Sequence, residues 1–187
     1  MNKKEVSKRV LKYGKPLPID KFTWDEDTNT FSSIEDNLVL DFNEINSCTF
    51  NVGAYCTFNT GDDCTFNTGE DCTFKTWSNC TFNTGPYCTF KTGARGIFKT
   101  GNDCTFKTGD YCTFNTLSDC TFDTWSDCTF KTGEGCVVVR RDVYEVIELK
   151  KGEKIKLNGY EVKGFTVIND SKRCEKCNHL IEDGINE

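Results

Sequence analysis

From Cys48 to Val139 the chain repeats one eight-residue unit about a dozen times, Cys-Thr-Phe-x-Thr-Gly-x-x. Cys64-Thr65-Phe66-Asn67-Thr68-Gly69-Glu70-Asp71 is a clean copy, and so is Cys104-Thr105-Phe106-Lys107-Thr108-Gly109-Asp110-Tyr111. So short a unit cannot bury its own apolar face, so copies must stack into a solenoid. Five alternating β-branched, aromatic and small residues form a short strand, and the Gly-led triplet that follows forms a turn. With a side-chain period of two, Cys, Phe and the second Thr share one face. The variable residue lies on the other. It reads Asn51, Asn59, Lys75, Lys91, Lys107, Asp123 and the like, so that face is wet and the phenylalanines from Phe50 to Phe130 point inward.

Two strands and two turns close the smallest flat coil, sixteen residues on two facing sheets; a triangular coil of three units is the alternative. Trp77 and Trp125 stand 48 residues apart, which suits both. The two-sided coil is preferred because eleven rings fill a thin core well. The expected fold is therefore an all-β solenoid with an N-terminal and a C-terminal cap. One unit, Gly96-Ile97-Phe98-Lys99, loses its Cys but keeps its Phe, which reads the Cys column as filler.

Outside the repeats the chain divides into four parts. Residues 1–19 are basic, with a short helix or a loose tail over Lys3–Tyr13 in which Val6, Val10 and Tyr13 share a face. Residues 20–47 read as the N-terminal cap. Leu40-Asp41-Phe42 falls in phase with the units, with Leu40 in the Cys slot, Phe42 in the Phe slot and Ile34 in the preceding Phe slot. Residues 48–139 are the solenoid. Residues 140–168 read as a strand meander, with Asn158-Gly159 marking a two-residue hairpin. Residues 169–187 are a polar tail.

The octapeptide array resembles uncharacterised octapeptide-repeat proteins of bacteria and their phages. The lead-in Phe22-Thr23-Trp24-Asp25 and Asp36-Asn37-Leu38-Val39-Leu40 shares that likeness, as does the exit Val137-Val138-Val139-Arg140-Arg141-Asp142-Val143-Tyr144. It covers roughly residues 20–168 and implies a solenoid in a prokaryotic or phage setting. It implies no activity.

The chain carries a net charge of −6, no apolar run of membrane-spanning length, and an opening Met1-Asn2-Lys3-Lys4 unlike a secretory signal. Its thirteen cysteines, an odd number without an export signal, point to a reducing cytoplasm with free thiols. Only Cys174, Cys177 and His179 form a local metal-like constellation, three ligands where structural zinc takes four. Zinc is thus the one candidate cofactor, and a second chain or a carboxylate would complete the site.

Between 48 and 139 ten acids face six bases, with nine acids in turns and five lysines on the flat faces. On a two-sided coil Lys75, Lys91 and Lys107 stack one coil apart. They either guard the face against association or await an anion or a partner. Trp77, Leu117 and Trp125 replace the turn glycine, and Tyr55, Tyr87 and Tyr111 occupy nearby turn positions. Such rim aromatics either anchor an interface or fold over the coil edge.

Nothing in the chain forms a catalytic constellation. The expectation is a non-enzymatic scaffold for a protein partner or for self-association, with neither membrane nor nucleic acid among its ligands. The alternatives are an acidic DNA mimic that occupies a nucleic-acid enzyme, or a zinc-bridged assembly protein.

Overall fold

A computed structural model describes residues 1–168 of the chain. They form a β-solenoid of about 7 turns with about 16 residues per turn and 4% helix. Alternate units fall on two facing ten-stranded sheets. In one, Phe74, Phe90 and Phe106 lie in parallel register with Lys75, Lys91 and Lys107 beside them; this is called the lysine sheet below. In the other, Phe66, Phe82 and Phe98 are in register, with Asn67, Asn83 and Lys99 alongside; this is the asparagine sheet. A register of sixteen residues between neighbouring strands fixes the two-sided coil and removes the triangular one.

The core is a double column of rings. Within a sheet, successive phenylalanines from Phe58 to Phe130 stack nearly parallel, 1–11° apart, with centroids 4.7–4.9 Å apart. That distance is the ordinary spacing of paired strands. Across the sheets the rings meet edge to face, as Phe90 and Phe98 do at 5.3 Å and 79°. Both geometries suit the ring quadrupole.

The cysteines are buried and free along the solenoid, but they are more than filler. The Cys72 thiol donates to Glu70 O at 3.4 Å and lies 3.8 Å from Gly53 O of the coil before. The Cys56 N–H in turn donates to Cys72 Sγ at 3.4 Å. Sulfur therefore serves the Cys56 N–H, which no backbone carbonyl reaches, and adds a further bond to Glu70 O, which already accepts from Tyr55 N–H. At Gly96 an added Cβ would lie 2.6 Å from the Phe98 ring, which leans into the room a cysteine occupies elsewhere.

The left-handed corner residue is the one before Cys, not the glycine: Asp71 (φ 52), Asn79 (φ 60), Tyr87 (φ 59) and Tyr111 (φ 58) all hold it. The glycine serves close approach instead. At Gly101 a Cβ would meet Pro86 N of the previous coil at 2.6 Å.

The N-terminal end departs from the sequence expectation in three ways. The helix covers only Lys3–Arg9, started by an Asn2/Glu5 capping box, and Val10–Lys12 is a strand antiparallel to Leu38–Phe42. Val6 and Val10 are both buried, but Tyr13 is 79% exposed because the chain has already turned. Leu40, not Phe42, sits opposite Phe58, and Phe31 sits opposite Phe50. Ile34 stands 96% exposed. The pairs Leu40–Phe58 and Phe31–Phe50 span 18 and 19 residues rather than sixteen. The extra residues bulge at the first corners, and the octapeptide phase slips there.

At the far end, Val137–Arg140 pairs antiparallel with Glu145–Glu148, and Lys154–Leu157 pairs with Phe165–Val167. Leu157 sits opposite Phe165, so residues 158–164 form a long loop rather than a two-residue hairpin at Asn158-Gly159. Arg140 explains the loop. It takes the inward threonine slot opposite Thr124, is fully buried, and donates to Val162 O at 2.6 Å, Gly159 O at 3.3 Å and Gly164 O at 3.4 Å. Asp142 closes the pair from the same strand exit.

Candidate interaction surface

The turns that leave the lysine sheet stack into one edge, and those that leave the asparagine sheet stack into the other. Backbone bonds Asn79 N–H to Ala94 O, Arg95 N–H to Asp110 O and Tyr111 N–H to Ser126 O tie successive coils of the first edge. One large residue projects from each: Trp77, Arg95, Tyr111 and Trp125. Over three coil steps this stripe spans roughly 14 Å. Tyr55, Tyr87 and Leu117 lie on the opposite edge, interleaved with Asp71, Asp103 and Asp119. The sequence had grouped the six apolar residues together, and the fold divides them three and three. Arg95 was missed: it closes the unit that begins at Cys88, just before the unit that lacks Cys, and its membership of the stripe is visible only once the coils are stacked.

The tryptophans are held by acids of the coil before. Asp62 Oδ1 accepts from Ser78 N–H at 2.6 Å, and Asp110 Oδ1 accepts from Ser126 N–H at 3.1 Å and Ser126 Oγ at 3.3 Å. Each serine follows a tryptophan, so the acid pins the corner from which the indole projects. The two indoles then differ. Trp125 stacks on Tyr160 at 6.4 Å and carries the Arg141 guanidinium 5.6 Å over its ring, so it belongs partly to the C-terminal cap. Trp77 is 55% exposed and makes neither kind of contact among the described residues.

Beside this edge runs the lysine column. Lys75, Lys91 and Lys107 are in direct register on neighbouring strands. Lys75 and Lys91 also line a shallow groove with Thr76, Trp77, Ser78, Thr92 and Gly93. Only Lys107 approaches an acid, Asp123 Oδ2 at 3.9 Å, and that carboxylate also lies 2.7 Å from Arg141 Nε. Among the described residues Lys75, Lys91 and Arg95 face no carboxylate partner.

The sulfur columns lie inside the coil. Burial and hydrogen bonding decide their state: Cys48 and Cys80 are pushed up by their bonds to Cys64 between them and then by burial. Cys72 is pushed up to about 11, first by its bond with Cys56. Cys56 and Cys112 are drawn down by the thiols that donate to them. In each column the thiols donate to corner carbonyls, as Cys88 does to Pro86 O at 3.5 Å, and share one buried cluster with the phenylalanines.

Cys174, Cys177 and His179 lie outside the described residues. Among the described residues no group of three or more His, Cys, Asp or Glu side chains is placed to hold a metal ion. No described helix is long and apolar enough to cross a membrane. No protein family, curated protein or solved structure matches the chain.

Proposed function

We propose that this protein is a non-enzymatic interaction scaffold, a stiff solenoid whose tryptophan edge binds a protein partner inside a bacterial or phage-infected cell. One observation carries the reading: four successive coils of one edge each present a large Trp, Arg or Tyr. These are the residue types that dominate binding energy at protein interfaces. The sulfur columns, turned inward against the phenylalanine core, fit a structural role for the thiols.

Affinity capture from producing cells tests it. The triple variant Trp77→Ala/Arg95→Ala/Tyr111→Ala is expected to lose the captured partner. The opposite-edge variant Tyr55→Asn/Tyr87→Asn is expected to retain it. Equal capture by both variants and the parent would remove the edge from the account. The DNA-mimic alternative fares worse, since a mimic needs a dense surface of one sign and the lysine column breaks it. Zinc-bridged assembly rests on Cys174, Cys177 and His179 alone.

A further inference from the structure

We propose that the lysine column and the tryptophan edge together dock an acidic polypeptide segment lying along the solenoid axis. The inference rests on the scaffold reading and names the chemistry of its partner. Three observations support it.

The first is unbalanced charge. Acids of the tryptophan edge and the lysine sheet beside it are already engaged within the chain: Asp62 by Ser78, Asp110 by Ser126, Asp123 by Arg141 and Asp127 by Lys156 at 3.3 Å. Asp63, at the corner before Trp77, is the exception. Lys75, Lys91 and Arg95 face no carboxylate among the described residues. The second is spacing. In-register lysines repeat at the strand distance of about 4.8 Å. Carboxylates on one face of a helix recur at about 5–6 Å, so a Glu-rich helix can oppose one acid to each lysine. An apolar residue of the same segment would then meet Trp77 across the groove that Lys75 and Lys91 line.

The third observation is length. The same outward column carries Asp41 and Asn59 before Lys75, and Asp123 after Lys107. The basic patch is therefore only three coils long, with an acid beyond each end. A short acidic segment fits between those acids. A nucleic acid strand continues past them and meets a chain of net charge −6.

Fluorescence anisotropy with a labelled glutamate-rich helical peptide, run at about 0.01 M and about 0.15 M salt, tests the proposal on the full-length protein. Binding should weaken with salt. It should fall roughly tenfold or more in Lys75→Gln/Lys91→Gln/Lys107→Gln, given three exposed charge pairs. The charge-matched control Lys4→Gln/Lys99→Gln/Lys131→Gln, with its changes away from this column, should bind like the parent. Circular dichroism melts keep the test honest, because removing stacked like charges should leave the melting temperature unchanged or higher. Equal binding by the lysine variant and the control would overturn the proposal. So would binding of oligothymidylate but not of the peptide. If the peptide fails while partner capture still depends on Trp77, Arg95 and Tyr111, the acidic-segment inference falls and the scaffold reading stands. If capture is insensitive to the edge, both fall.

Discussion

Arg140 shows how a single side chain ends a repeat. Its guanidinium occupies the slot that threonines fill from Thr60 to Thr124, and it spends its donors on the carbonyls of the 158–164 loop and on Asp142. Arginine suits this place because its planar fork serves several acceptors at once, so lysine is no substitute. Burial alone would raise the Asp142 carboxyl, but the bonds and charge of Arg140, with the Glu161 N–H, hold it below its ordinary value. Such a depressed acid stabilises the fold above the normal carboxylate range, and that contribution is lost as pH falls through its folded value. Arg140→Met should therefore cost about 3–5 kcal/mol in urea unfolding at neutral pH, because it leaves Asp142 buried and unpaired. The difference from the parent should narrow as pH falls through the folded value of Asp142, below the ordinary carboxylate range, where the parent's Asp142 takes up its proton. A pH-independent difference would mean that Arg140 acts by packing alone.

The strand and its corner are the repeating element, and the ring column carries most of their stability. Phe90 stacks on Phe74 and Phe106 and meets Phe82 and Phe98 edge-on. Phe90→Ala should cost about 3–5 kcal/mol, since the stacked coils on both sides resist collapse into the cavity. Cys88→Ala should cost about 1 kcal/mol, the worth of its weak thiol bonds plus a small void. Urea titration of the two variants tests that ranking, and equal losses would contradict it. These strands were legible because alternation and period state them directly, and the outward variable column told which face is wet. The corners were less so. Gly69 or Gly101 looks like the left-handed residue, yet the positive φ falls on Asp, Asn, Tyr or Arg before Cys, a property of how the coil bends rather than of composition. The phase slip at Leu40 and the exposure of Ile34 were hidden for a related reason: corner length in the first coils is set by the cap, not by the octapeptide. The Asn158-Gly159 signal was overridden by a tertiary contact, the reach of Arg140.

The molecule as a whole keeps its chemistry on its outside. Thiols and rings fill the interior, Asp71, Asp103 and Asp119 line one edge, and Trp77, Arg95 and Tyr111 line the other beside a column of stacked lysines. No one of these residues marks a site in the sequence. Trp77 and Arg95 are 18 positions apart, and only a sixteen-residue coil places them on neighbouring turns. The same stacking puts Lys75, Lys91 and Lys107 side by side despite mutual repulsion. Radical footprinting of the protein with and without its captured partner tests this account most directly. The account predicts protection concentrated at Trp77, Arg95 and Tyr111 and extending to Lys75 and Lys91, with Tyr55, Tyr87 and Leu117 unchanged. Protection confined to Tyr55, Tyr87 and Leu117, or spread evenly over both edges, would contradict it.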